Sequence, residues 1–148
     1  MIKRRSKKRG PVTSKAVEAD GIKFASGLEK HMYLCLKKAG IKAKYEGETF
    51  TLLHEFNFEN SCWERQSNGK GEFRDRGNTK VRSMKYTPDF IGEDFIIECK
   101  GRANDSFPLR WKLFKNYVAG YLPNVTLYKP QKKDECQEVV DLILKSRA

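Results

Sequence analysis

The sequence predicts an α/β (α+β) domain with a central mixed β-sheet flanked by helices. Three observations lead there. Apolar residues recur at helical spacing in three segments. Short runs rich in Phe, Tyr, Ile and Thr lie between them. Their order, α-β-β-β-α-β-α, suits a mixed sheet with helices packed on it. The chain has 148 residues, 39% hydrophobic, enough for one core. No repeat or second domain is evident.

Residues 1–15 read MIKRRSKKRGPVTSK, with seven Lys/Arg, no acid and almost nothing apolar. Such a segment is expected to stay a mobile basic arm. The arm is drawn over residues 1–20 and the single domain over 21–148. The first helix spans 26–39: Ser26 and Glu29 form an S-x-x-E capping box, and Gly40 supplies the stop. Leu28, Met32, Leu36 and Ala39 should face its core. Residues 44–46 and 48–58 read as extended segments. The polar, glycine-punctuated stretch 57–83 is an insertion, either a long hairpin or a loop, and is mildly basic.

Tyr86–Ile91 and Phe95–Cys99 read as a pair of strands joined at Gly92-Glu93-Asp94. Pro108 opens a second helix that runs to about Val118, with Leu109, Leu113 and Tyr117 as its buried face. Asn124–Tyr128 is another strand. A last helix follows Asp134, which with Gln137 gives a second capping-box pattern, and buries Val139, Val140, Ile143 and Leu144.

Thirty Lys and Arg against nineteen Asp and Glu give a net charge of +11. That excess points to a polyanionic partner, nucleic acid being the commonest; a basic surface serving solubility alone is the duller account. Cys35, Cys62, Cys99 and Cys136 never form a C-x-x-C pair, and His31 and His54 do not complete a zinc site. No apolar stretch is long enough to cross a membrane, and no signal peptide is visible. Free thiols in a reducing cytoplasm follow as the expectation.

The chemistry concentrates in Tyr86-Thr87-Pro88-Asp89-Phe90 and Ile97-Glu98-Cys99-Lys100-Gly101. Side chains on a strand alternate, so Glu98 and Lys100 share one face while Ile97 and Cys99 take the other. Folding at Gly92 brings Asp89 beside Glu98. Two carboxylates converging next to a lysine are costly unless a cation joins them, and Mg²⁺, with Mn²⁺ as a substitute, suits such oxygens. The ligands would be Asp89, Glu98 and the carbonyl of Cys99. Glu29 could add a carboxylate for a second ion, or it could serve only as the capping-box acid of its helix. Lys100 would orient a water or offset charge developing on phosphorus. Glu98 and Lys100 could be an ordinary same-face pair on an exposed edge, but the apolar Phe95, Ile96, Ile97 and Cys99 place the strand centrally, where charges on one face need a reason.

Pro88-Asp89, eight intervening residues, then Glu98-x-Lys100 matches the PD-(D/E)xK nuclease signature. With Ser26-Gly27-Leu28-Glu29 opening a helix, the set resembles the bacteriophage endonuclease I family, Holliday-junction resolvases that cut branched DNA. The resemblance covers about residues 24–102. It implies a restriction-endonuclease-like core, with Asp89 and Glu98 as metal ligands, Glu29 as the additional acid and Lys100 as the catalytic lysine. It also implies a homodimer. The 57–83 segment departs from the family by its length.

DNA phosphates would be gripped by Arg4, Arg5, Lys7 and Lys8 of the arm, by Arg102, and by Arg110, Lys112 and Lys115 on the second helix. Trp63, Trp111 and Phe73 could stack on bases, although core or loop packing accounts for them too. The leading expectation is a metal-dependent endonuclease selective for branched DNA. Its rivals are a sequence-specific, lesion-specific or transposition-type endonuclease on the same site, and a DNA-binding protein that keeps the fold without catalysis. RNA binding explains the charge but not the paired acids.

Overall fold

Residues 16–148 are described in the computed structural model. Arg4, Arg5, Lys7 and Lys8 lie outside them. Val17–Ala19, drawn into the arm above, form a strand, β1, paired antiparallel with β2 (Ile22–Phe24). The two-residue Asp20-Gly21 connection has φ of 52° and 76°, the left-handed geometry that suits a tight hairpin. Val17, Ala19 and Ile22 pack against the core, so the folded domain includes residues before 21.

Helix α1 (Gly27–Lys38) starts where the capping box places it: Ser26 Oγ accepts from the Glu29 amide at 3.2 Å. It buries Glu29, Met32 and Leu36. Strands β3 (Lys44–Tyr45), β4 (Phe50–Leu53) and β5 (Phe56–Phe58) follow. The insertion is a two-tier hairpin. β5 pairs with β8 (Thr79–Val81), and further out β6 (Trp63–Glu64) pairs with β7 (Arg74–Asp75).

The run read as one strand over 86–91 is two. β9 (Met84–Tyr86) pairs with β4, while β10 (Phe90–Ile91) pairs with β3 and β11 (Phe95–Ile97). Pro88 lies between them, has no amide to donate, and is fully buried. Strand β12 (Thr126–Tyr128) runs parallel to β11. The four-stranded sheet therefore has the order β12-β11-β10-β3 and mixed direction. The architecture is mixed α+β, with three helices and several small sheets.

Side chains of β11 alternate between two cores. Phe95 and Ile97 pack with Met32 and Leu36 of α1 and with Val139, Val140 and Ile143 of α3 (Lys133–Ser146). Ile96 packs with Phe107, Trp111, Phe114 and Val118 of α2 (Phe107–Tyr121), and with Phe50 and Tyr86. Each such fully buried side chain contributes roughly 1.5–3 kcal/mol by leaving water.

Three expectations need correction. The buried face of α2 is Phe107, Trp111, Phe114 and Val118, while Leu109 is exposed. Four large aromatic and branched groups outcompete the Leu109–Leu113–Tyr117 stripe for the space beside Phe50 and Tyr86. Helix α3 begins one residue before Asp134, with Lys132 as N-cap and no side-chain cap bond. Its fourth buried group is Cys136, on the Val140 and Ile143 face, while Leu144 is exposed. The four cysteines form no disulfide. Among the described residues no helix is long and apolar enough to cross a membrane.

Candidate active site

The break at Pro88 fixes Asp89. Its carbonyl accepts the Glu46 amide at 2.8 Å, and its Oδ2 accepts the buried Cys99 amide at 2.7 Å. Beyond β11 the parallel pairing continues: the Glu98 amide donates to Tyr128 at 2.9 Å and the Lys100 amide to Pro130 at 3.0 Å. Both residues are thereby held extended, so the alternation of the strand persists. Cys99 joins the core of Ile97, whereas Glu98 and Lys100 line a cleft on the side of α2.

That cleft, about 310 Å³, is walled by Lys85, Tyr86, Thr87, Glu98, Lys100, Asn104, Ser106, Phe107 and Arg110. The Lys100 ammonium lies 4.7 Å from the centre of the Phe107 ring, a cation–π contact that restricts it, and Lys129 approaches the same ring at 5.8 Å. Glu98 is only 6% exposed, and its Oε2 has no hydrogen-bond partner; the buried Tyr86 hydroxyl lacks one as well. A larger cleft, about 640 Å³, lies beside β3 and the β10–β11 turn and contains none of the three buried acids.

Burial pushes the Asp89 carboxyl well above the usual carboxylate range, and the charges of Glu98 and Glu29 push it further. The Cys99 amide and Lys100 pull the other way without cancelling the rise. Burial raises Glu98 too, against the pull of the nearby Tyr86 hydroxyl and, less strongly, of Lys100. The Cys99 thiol is raised by burial and by Asp89, and stays neutral and inert. Two acids that resist ionisation alone are suited to share a divalent cation, which replaces the protons they would otherwise hold. The unbonded Glu98 Oε2 is a hard oxygen donor of the kind Mg²⁺ takes.

Glu29 is buried, and both its oxygens are engaged. Ser26 Oγ donates to Oε1 at 3.1 Å, while the Ala25 amide and the Tyr45 hydroxyl donate to Oε2. It completes the cap, and its charge also reaches Asp89 and Glu98. Asp89 sits beside Glu98 at the end of the β10–β11 pair, where the charges of Glu98 and Lys100 reach it, but it does not line the cleft that Glu98 and Lys100 share. Among the described residues, no group of three or more His, Cys, Asp or Glu side chains is arranged to hold a metal ion.

Of the cationic residues, Arg110 lines the cleft, whereas Arg102, Lys112 and Lys115 are exposed and do not. Trp111 is buried beside Phe107 and Phe114, so it serves the core. Trp63 and Phe73 are exposed. Sequence reasoning missed Tyr86, Tyr45, Lys85, Thr87 and Asn104. Tyr86 sits three residues before Asp89 and could have been found from its motif; Tyr45 is 16 residues from Glu29 and carries no such signal.

A family model described as "Protein of unknown function (DUF1064)" matches residues 8–132. No curated protein and no solved structure matches the chain.

Proposed function

The chain belongs to that family, and from this premise we propose that it is a metal-dependent DNA endonuclease acting on branched DNA. The observation that carries the reading is the pair Asp89 and Glu98. Both are buried and resist ionisation, one Glu98 oxygen is unbonded, and Lys100 lines the same cleft as Glu98. On this reading the four-stranded sheet between the two cores is the central sheet of a restriction-endonuclease-like fold.

Asp89, Glu98 and the Cys99 carbonyl would hold Mg²⁺ or Mn²⁺, with Glu29 as the further acid. The ion supplies a Lewis acid and a water of lowered pKa. Lys100, positioned by Phe107, neutralises charge that grows on the phosphate as the bond to its leaving oxygen stretches. Arg110 and Lys85 on the cleft wall bind neighbouring phosphates, and the net charge of +11 draws DNA toward them. A homodimer would present two such sites to a four-way junction.

The deciding experiment offers purified protein a four-way junction and a linear duplex of matching sequence, each with Mg²⁺ and with EDTA. Cleavage of the junction in Mg²⁺ alone, abolished by Asp89→Ala, is expected. Equal cutting of both substrates ends the branched-DNA assignment. Absence of metal-dependent cutting of either ends the nuclease assignment.

A further inference from the structure

The outer tier of the 57–83 hairpin carries a pair of large aromatic side chains that no core explains. Trp63 pairs with Asp75 across β6 and β7, so Phe73, two residues from Asp75, falls on the same face as Trp63. Their ring centroids are 6.2 Å apart and tilted by 37°. They are 62% and 65% exposed, although Trp111 in the same chain is 8% exposed. Leaving that much aromatic surface in water is unfavourable, and a side-by-side pair offers a flat partner two ring faces.

The tier is pinned rather than loose. Asp75 Oδ1 accepts from the amides of Cys62 and Gly77, each at 2.9 Å. The Arg76 guanidinium donates to the carbonyls of Glu64 and Glu72, each at 3.1 Å. One acid and one base are thereby spent on holding the backbone. Arg65 and Lys70 make no ion pair among the described residues, and both are exposed; Arg65 also donates to the Gly71 carbonyl at 3.3 Å. Arg65, two residues from Trp63, falls on the aromatic face, whereas Arg74 pairs with Glu64 and takes the opposite one. The aromatic pair is therefore preorganised, with one cation on its own face and Lys70 in the loop beyond.

We propose that the β6–β7 tier is a single-strand contact, stacking Trp63 and Phe73 on unpaired bases of DNA while Arg65 and Lys70 meet the adjoining phosphates. Aromatic rings beside cations fit this occupant, since every base has a π face and every nucleotide a charge. An apolar protein partner would leave the cations unanswered. The choice of DNA rests on the nuclease reading above; the stacking surface itself does not. Unpaired bases occur where a helix is branched, opened or gapped, so the tier would recognise the departure from a duplex.

Binding is measured by fluorescence anisotropy in EDTA, where no hydrolysis intrudes, using a labelled single strand, a duplex with an unpaired bubble and the fully paired duplex. Trp63→Ala and Phe73→Ala are each expected to weaken binding to the single strand and the bubble about tenfold. The paired duplex should change less than about twofold, because phosphate contacts dominate there. Trp63→Phe, which keeps a ring, should retain most of the affinity. It should also lose the quenching of tryptophan emission that the single strand causes in the parent protein. Circular dichroism of the alanine variants checks that the hairpin persists.

Equal losses on paired and unpaired DNA, or none on either, overturn the proposal. So does a shift from dimer to monomer in Trp63→Ala, which would make the pair a contact between copies. Tighter binding to RNA of the same sequence than to DNA overturns the choice of DNA. If the binding pattern holds and no metal-dependent cleavage occurs, the nuclease reading fails and the stacking surface stands.

Discussion

The Cys99 amide donates a 2.7 Å hydrogen bond to Oδ2 of Asp89, ten residues earlier in the chain. The bond fixes the carboxylate against the strand that carries Glu98, and does so with a backbone amide that only proline at position 99 would remove. Asp89→Asn can keep the acceptor oxygen while deleting the charge. Since burial and the nearby acids disfavour ionised Asp89, the asparagine variant should be more stable than the parent at pH 7.5 without metal, by about 1 kcal/mol or more. Cleavage should fall at least a thousandfold, roughly the loss that follows when one essential electrostatic group is removed. Urea melts and a cleavage assay on the same preparation check both. A destabilised asparagine variant would show that Asp89 is retained for the fold.

Stability should also depend on pH in a particular sense. Asp89 and Glu98 bind their protons more tightly folded than unfolded, because burial raises both. Their contribution is complete below the unfolded carboxylate pKa of about 4 and is lost as pH rises through the higher folded values. Asp20, Asp75 and Asp94 are shifted the opposite way, so their contribution is present above that range and disappears only in acid. Between pH 5 and pH 8 the buried pair decides the slope. The melting temperature of metal-free protein is expected to fall across that window. Mn²⁺ should restore it most at the alkaline end, and Asp89→Asn with Glu98→Gln should flatten the curve.

Glu29 separates a cap from a catalytic acid. Glu29→Gln retains an oxygen for Ser26, Ala25 or Tyr45, so its stability should stay within about 1 kcal/mol of the parent. Ser26→Ala removes the cap bond and should cost about 1 kcal/mol with cleavage nearly unchanged. If Glu29 acts in the reaction, glutamine lowers cleavage by about a hundredfold or more despite a stable fold. Unchanged cleavage would reduce Glu29 to its helix.

How far the sequence spoke depends on how local each signal was. The start of α1 was legible because Ser26 and Glu29 are one turn apart and bond each other. The shared face of Glu98 and Lys100 was legible because strand alternation is a backbone property. The Asp20-Gly21 hairpin was equally local, but the basic run before it masked the turn. The face of α2 was not legible. Leu109, Leu113 and Tyr117 form as regular a stripe as the true one. The choice between them is made by Phe50 and Tyr86, whose rings lie 5.4 Å and 4.6 Å from Phe114. Nor could the chain alone reveal that Pro88 moves it from the partner of β4 to the partner of β3. That switch is what leaves Asp89 facing the Cys99 amide.

The cations on α2 should divide into two kinds. Arg110 stands in the cleft with Glu98 and Lys100, while Lys112 and Lys115 project from exposed positions outside it. A charge that meets the reacting phosphate acts on turnover, and one that meets a distant phosphate acts on affinity alone. Arg110→Ala should therefore lower kcat for the cleaved DNA by about tenfold, with a smaller change in binding. Lys112→Ala and Lys115→Ala should leave kcat unchanged. Each should weaken binding evenly across DNA sequences and reduce the slope of log affinity against log salt by about one. Single-turnover cleavage and anisotropy titrations between low and moderate salt give both quantities. If all three variants behave alike, the cleft around Glu98 does not receive the phosphate, because Arg110 could not line it and remain indifferent to the step performed there.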